Sequence, residues 1–139
     1  MSANNQATIQ RFIEEILNQK KLAIADEIVA EDFIELDPFP GQAQGRQGLK
    51  DVLGMFFSGF PDMHWVIEEQ IAEGDKVVTR FTWTGSQQGA FMGIPAAGRQ
   101  VKVKGVVIDR VVDGRMVDSR ILMDTMGMMQ QLGVVPSGQ

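Results

Sequence analysis

The clearest hydrophobic pattern in the chain is an alternation that runs from residue 101 to residue 124. In both halves of this segment apolar side chains take most of the odd positions, and charged side chains take about half of the positions between them. A period of two residues is typical of a β-strand with one buried face. Asp113-Gly114, in the middle, is a turn sequence. The segment predicts a long β-hairpin whose inward positions are Val101, Val103, Val107, Val111, Val117, Ile121 and Met123.

The length of the turn decides which residues of this hairpin face each other. A two-residue turn would pair Val112 with Arg115 and put the apolar sets of the two strands on opposite faces. A three-residue turn, with Gly114 in the left-handed conformation and a bulge, pairs Val112 with Met116 and aligns the two sets. We therefore expect the three-residue turn.

The same register makes two further pairs. It sets Arg110 opposite Asp118 on the outer face, which is a favourable cross-strand pair. On the inner face it sets Asp109 opposite Ser119. A carboxylate on the apolar face of a hairpin costs stability unless it is paired, protonated or used. Asp109 is therefore the first candidate for a functional residue.

Before residue 61 the apolar positions follow a helical period instead. We expect helices over residues 6–18, 22–29 and 49–60, with a short strand over residues 33–37 that Pro38 and Pro40 end. After Asp62 the pattern alternates again and predicts strands over residues 64–72 and 76–85. A glycine-rich loop follows over residues 85–99, and Asp124 is expected to cap a last helical turn.

Helices followed by an antiparallel meander predict an α+β fold, with the helices packed on one face of a curved sheet. A chain of 139 residues is most simply one domain, spanning residues 1–139.

Composition excludes several kinds of function. The formal net charge of -5 and the lack of a Lys/Arg cluster argue against a nucleic-acid surface. The chain has no cysteine and one histidine, His64, so we expect no thiol nucleophile and no multi-histidine metal site. We see neither a leader peptide nor an apolar run long enough to span a membrane, and we expect a cytoplasmic protein.

Three motifs resemble those of a known family. They are Gly93-Ile94-Pro95 with Gly98-Arg99 in the loop, the hairpin turn RVVDG at residues 110–114, and DTMGMMQQLG at residues 124–133. With the helix and strand order, they resemble the SnoaL-like polyketide cyclases of the nuclear transport factor 2-like superfamily. This resemblance implies a cone-shaped fold, in which helices pack on a strongly curved mixed or antiparallel sheet around an apolar pocket. It also implies an intramolecular aldol cyclisation that uses an acid/base aspartate and no cofactor, and a homodimer.

The acid/base residues of the characterised cyclases are replaced in this sequence. The position that resembles their catalytic aspartate is Ile121, and those of their pocket histidines are Val107 and Ser119. Their glutamine corresponds to Gly105, and their asparagine falls near Glu35. The resemblance therefore supports the fold more strongly than the mechanism.

Three carboxylates remain as candidate catalytic residues: Asp109, Asp37 and Glu35. Asp37, followed by a proline, resembles the general base of ketosteroid isomerase, and Glu35 shares its face if the segment is extended. An apolar pocket raises the pKa of such groups and suits them to acid/base work near neutral pH. Each also has a structural alternative. Asp37 is a common turn-capping residue type, Glu35 can point to solvent, and Asp109 can simply bond to Ser119.

Two functions follow from these residues. One is cofactor-free chemistry (aldol cyclisation, isomerisation or hydration) on a small apolar carbonyl compound. The other is a non-catalytic small-molecule-binding protein on the same scaffold. We expect the pocket to be lined by Phe12, Ile16, Phe56, Phe60, Phe81, Trp83, Val107, Ser119, Ile121 and Met123. The outer face of the sheet carries Val78, Val106, Ile108 and Leu122, more apolar surface than a solvated face needs, which predicts a homodimer through that face.

Overall fold

A computed structural model describes residues 2–134 of the chain. The α-helices in this range are α1 (Ser2–Arg11), α2 (Ala25–Ile28), α3 (Gly45–Gly59) and α4 (Thr125–Gln131). Helix α1 continues as a π-helical segment over Phe12–Asn18, and a 3₁₀ turn over Leu22–Ile24 leads into α2. The strands are β1 (Val29–Glu35), β2 (His64–Glu73), β3 (Lys76–Ser86), β4 (Gln100–Val112) and β5 (Arg115–Met123).

The strands form one mixed sheet in the order β1-β5-β4-β3-β2. The pairs β2–β3, β3–β4 and β4–β5 are antiparallel, whereas β1 lies parallel to β5. The long hairpin predicted from the alternating pattern, β4–β5, therefore lies in the interior of the sheet. The predicted α+β architecture is confirmed.

Helices cover the inner face of this sheet because each has one apolar stripe. Ile9, Ile13 and Ile16 recur at helical spacing along the first helical segment, and each is at most 4% exposed. Leu49, Leu53 and Phe56 do the same along α3. Opposite them, the inner face presents Val77, Phe81, Trp83, Val103, Val107 and Val111, all buried in the same core.

The turn of the β4–β5 hairpin differs from the expected one. Val112 pairs with Arg115 across a two-residue turn, in which Asp113 and Gly114 have φ of 52° and 77°. The three-residue turn is therefore wrong. The bulge exists, but it lies one step further into β5, where Val117 is the extra residue. A left-handed Asp-Gly pair suits the twist of a hairpin, and a bulge inside the strand realigns the faces at little cost.

Beyond the bulge the predicted register is confirmed. Arg110 faces Asp118, with 2.9 Å between Arg110 Nε and Asp118 Oδ2. Asp109 faces Ser119 on the inner side.

The first strand begins earlier than expected. The pattern placed Val29 in a helix and started the strand at Phe33, but β1 already starts at Val29, which pairs with Met116 of β5. A strand buried on one face and joined to a short helix has too few residues to show either period clearly. The predicted cap of the last helix is confirmed, since Gly127 N donates to Asp124 Oδ1 at 2.9 Å.

The side chain of Asn18 joins the end of the first helical segment to the sheet. Its Oδ1 accepts from Trp65 N at 2.7 Å, and its Nδ2 donates to Trp65 O at 3.1 Å. One amide side chain thereby satisfies both backbone groups of a residue on the edge strand β2.

Gly105 on β4 tests the packing of the inner face. A Cβ at this position would lie 2.5 Å from Phe81 Cζ and 2.6 Å from the backbone oxygen of Leu122. The Phe81 ring cannot move away freely because it stacks on Trp65, with 4.1 Å between the ring centroids. We expect Gly105→Ala to lower the free energy of unfolding by about 1–3 kcal/mol in urea denaturation.

Gly54 of α3 is the matched control, since a Cβ there meets nothing within 4 Å. Gly54→Ala should raise the free energy of unfolding by about 0.5–1 kcal/mol, because alanine is the better helix former. Equal effects of the two substitutions would contradict the packing described for Gly105.

Candidate active site

A cavity of about 80 Å³ lies between the helices and the inner face of the sheet. Its wall is apolar apart from Glu35, Gln42, Asp109, Ser119 and the indole of Trp65. A mostly apolar pocket with a few convergent polar groups is the usual form of a small-molecule site.

The structure places six of the ten predicted lining residues in the cavity wall: Phe12, Phe56, Val107, Ser119, Ile121 and Met123. The expectation is wrong for Ile16, Phe60, Phe81 and Trp83, which are buried outside the wall. Phe60 and Trp83 pack edge to face with ring centroids 5.2 Å apart, and Phe81 lies under Trp65. Large aromatic rings on an inner face fill space against each other, and periodicity alone cannot tell this from lining a void.

Other wall residues were not expected from the sequence. They are Ile9, Ile13, Leu17, Phe33, Phe39, Gln42, Leu49, Val52, Leu53, Met63, Trp65 and Met116. Half of these residues belong to the apolar stripes of the first and third helices: Ile9, Ile13, Leu17, Leu49, Val52 and Leu53. The burial of this half was predictable, but its contact with the void was not. Gln42 and Phe39 belong to the loop after β1, for which the sequence carries no periodic signal.

Three polar residues of the wall, Glu35, Ser119 and Asp109, form one row across the sheet. In β1, Glu35 pairs with Ser119 of β5, and Ser119 pairs with Asp109 of β4. Neighbouring strands are about 4.8 Å apart, so the two carboxyl-bearing residues flank Ser119 on a common face. The row exists because β1 adds to the edge of the hairpin in parallel register.

Asp109 is 3% exposed and lies deepest in this row. Burial is the largest of the effects that raise the pKa of the Asp109 carboxyl to about 7, and the negative charges of Glu35 and Asp118 act in the same direction. The hydroxyl of Ser119, as a hydrogen-bond partner, partly opposes this shift. A neutral carboxylic acid is thereby stabilised inside the cavity near neutral pH.

Glu35 is partly buried, and this burial raises the pKa of its carboxyl to about 7. Two backbone N–H groups favour its charged form: that of Asp37, 3.1 Å from Oε2, and that of Ile121. The alternative in which Glu35 points to solvent is therefore not what the structure contains, because Glu35 is part of the cavity wall. Glu35 and Asp109 form a coupled pair, and we expect them to share protons near pH 7.

Asp37, the third carboxylate, lies outside this pair. Its side chain is 38% exposed, and its Oδ1 lies 4.0 Å from Arg120 Nη1, in a groove next to the cavity. The chain bends after β1 so that the backbone of Asp37, rather than its carboxylate, contacts Glu35. Of the three candidate carboxylates, the structure brings Asp109 and Glu35 together in the cavity wall and places Asp37 in the neighbouring groove.

Two further observations bear on the type of site. Among residues 2–134, no group of three or more His, Asp and Glu side chains is arranged to hold a metal ion. No helix in that range is long and apolar enough to cross a membrane.

Solved structures that resemble this one come from several bacteria. TsrD from Streptomyces laurentii is 28% identical, covers 96% of this chain and 97% of its own, and has a TM-score of 0.86. A proposed SnoaL-like polyketide cyclase from Jannaschia sp. CCS1 is 26% identical, with coverage of 97% and 95% and a TM-score of 0.87. IdmH, a proposed polyketide cyclase from Streptomyces antibioticus, is 30% identical, with coverage of 94% and 99% and a TM-score of 0.82. A search of curated proteins gave no significant match.

Helices packed on a curved mixed sheet around an apolar cavity define the cone-shaped fold of the nuclear transport factor 2-like class. Within that class, the sequence profile of the SnoaL-like polyketide cyclases matches residues 7–132. The chain belongs to this family.

The buried carboxyl makes stability depend on pH. Unfolded Asp109 loses its proton near pH 4, whereas folded Asp109 keeps it up to about pH 7. The free energy of unfolding should therefore fall as pH rises between these values, by a few kcal/mol at most for this group. Asp109→Asn removes the titrating group, so the variant should gain stability relative to the wild type over that interval.

Urea denaturation from about pH 4.5 to pH 7.5 measures this difference. A constant gap between the two proteins over the whole range would contradict the buried, proton-holding state of Asp109. Glu35 remains in both proteins, so its own contribution affects both curves in the same direction.

Proposed function

We propose that the protein carries out cofactor-independent acid/base chemistry on a small, mostly apolar carbonyl compound held in the cavity. The observation that carries this proposal is the row Glu35–Ser119–Asp109, which brings two carboxyl groups with raised pKa into one apolar wall. Aldol cyclisation, isomerisation and hydration all need a base for one proton and an acid for a developing oxyanion.

The environments of the two carboxyls support different roles for them. Glu35 accepts from two backbone N–H groups, which stabilise its negative charge, so it serves as the base that removes a proton next to the carbonyl. Asp109 is the more deeply buried and has only a hydroxyl partner, so it keeps its proton and donates a hydrogen bond to the carbonyl oxygen. The resulting enolate can then attack a second carbonyl of the same molecule or be protonated at another carbon.

In this proposal Glu35 and Asp109 take the place of the acid/base residues that the characterised cyclases have and this chain lacks. Ile121 and Val107, which correspond to acid/base positions of the characterised cyclases, pair with each other one inner-face step from Ser119 and Asp109. Inward residues on one strand are about 7 Å apart. The proposed chemistry therefore uses the next row of the same wall.

A non-catalytic binding protein is the second candidate. The observation that favours it is the apolar character of Ile121 and Val107, which leaves that part of the wall without an acid or base. In this case Asp109 and Ser119 bind a polar group of the ligand without transferring a proton.

Deuterium exchange into simple aryl ketones separates the two candidates. In D₂O the wild type should speed exchange of the α-protons of acetophenone or 2-tetralone, followed by proton NMR, with a maximum near pH 7. Glu35→Gln and Asp109→Asn should each slow this exchange about 100-fold or more, because each removes one proton-transfer group.

Asp37→Asn is the matched control, since this carboxylate lies outside the cavity. It should change the exchange rate by less than about threefold. Ketone binding without any exchange by the wild type would favour the binding protein, and an equal loss in Asp37→Asn would overturn the assigned pair.

We also propose a two-fold homodimer through the outer face of the sheet. Ile108 is 37% exposed and Val106 39%, and they lie beside Val78 and the 71%-exposed Leu122 on paired strands. An apolar patch of this kind on a sheet face is typical of a protein–protein contact.

Light scattering after gel filtration tests the dimer. The wild type should have twice the 15.4 kDa chain mass at micromolar concentration, and Ile108→Glu should have the mass of a monomer because it buries a charge in the contact. Met126→Glu, at a 62%-exposed apolar position on α4, is the control and should leave the mass unchanged. A monomeric wild type would contradict the proposal.

A further inference from the structure

A surface groove lies directly outside the cavity. Its wall includes the loop after β1, the end of β5 and the tip of the loop between β3 and β4, through residues such as Pro38, Pro40 and Met92. Phe39, Ile121 and Met123 belong to the walls of both the groove and the cavity. The two spaces are therefore neighbours that share three side chains.

Met92 is presented to this groove by a rigid turn. Phe91 and Ile94 bond to each other in both directions, at 3.0 Å and 2.8 Å, across the residues Met92 and Gly93. Phe91 is 1% exposed and packs on the rings of Phe56 and Phe60 at centroid distances of 4.9 Å and 5.1 Å. The position of Met92 is thus fixed by buried contacts of its neighbour.

The backbone of Met92 is strained, with φ of 51°. Within residues 2–134 the other non-glycine residues with positive φ are Lys20 and Asp113. The Lys20 ammonium donates to Asn18 O and Met63 O, and aspartate tolerates the left-handed region well. Methionine adopts the left-handed region less readily than aspartate. The side chain of Met92 is 44% exposed, so its burial offsets little of the energetic cost of this backbone conformation.

The volume of the cavity limits what it can hold. About 80 Å³ suffices for the reacting end of a ligand near Glu35 and Asp109, but not for an elongated molecule. An extended ligand that left the cavity past the shared side chains of Phe39, Ile121 and Met123 would enter the groove.

We infer that the groove is a second subsite, in which Met92 contacts the apolar tail of an elongated carbonyl compound whose reacting end lies in the cavity. This inference rests on the proposed function and adds the substrate class. A flexible thioether suits a site that accommodates chains of varied shape. The two-residue turn over Met92 and Gly93 holds the positive φ of Met92, so the side chain already lies at the groove before a ligand binds.

Two ketones of different length test the subsite. Acetophenone represents the reacting end alone, whereas hexanophenone adds an n-butyl tail, which the proposal places in the groove. Binding of each is followed by tryptophan fluorescence, because Trp65 is part of the cavity wall. The wild type should bind hexanophenone about tenfold more tightly than acetophenone, since partly buried methylene groups each add affinity.

Met92→Gly removes the side chain and relieves the positive φ. It should bind acetophenone as the wild type does and reduce the advantage of hexanophenone to about twofold, with an unchanged or higher melting temperature. Asp113→Gly is the matched control, because it relieves a similar φ in the β4–β5 turn, far along the hairpin from the groove. It should keep the full tail advantage.

The outcomes distinguish a failure of the groove subsite from a failure of the proposed cavity function. Binding of acetophenone with no gain from the tail, or an equal gain in wild type and Met92→Gly, would overturn the subsite and leave the cavity function standing. Failure of acetophenone itself to bind, while Asp109 still behaves as a buried acid, would overturn the cavity function and the subsite together. If hexanophenone loses its tighter binding when the protein is diluted to monomers, the tail contacts a second copy of the chain, and the subsite within one chain is overturned.

Discussion

The burial of the Asp109 carboxyl in an apolar wall is the interaction on which the character of the cavity depends. Removing a carboxylate from water costs more than one hydroxyl partner returns, so the group keeps its proton instead. The position of this group follows from the sheet register, which aligns it with Ser119 and Glu35. The parallel addition of β1 is therefore as important to the proposed chemistry as either side chain.

Family membership and local chemistry give different information about this protein. The fold and most of the chain agree with the SnoaL-like cyclases, including the cone and its apolar cavity. The residues that resemble the acid/base positions of the characterised cyclases do not agree, because Ile121 and Val107 are apolar. A scaffold of this kind tolerates such changes, since inward positions along paired strands are nearly equivalent in depth and direction.

The sequence predicts features that depend on local period or on a single favourable pair. The helical stripes, the hairpin and the Arg110–Asp118 pair are of this kind, and Asp109 follows from them as an inward carboxylate. The turn was mispredicted because a bulge at Val117 restores the alignment that a longer turn was expected to provide. The inward placement of Glu35 and the outward placement of Asp37 depend on where β1 ends against β5, which no pattern within residues 29–40 reveals.

The two hydrogen bonds between the Asn18 side chain and the Trp65 backbone affect how the protein avoids aggregation. Strand β2 lies at the edge of the sheet, and the backbone of an edge strand is a template on which another chain can add a strand. Asn18 occupies the donor and the acceptor of Trp65, and the Lys20 ammonium occupies Met63 O just before it. At this end of the sheet the protein has thus completed its own edge with side chains, which closes the start of β2 to strand addition and to the growth of fibrils from it.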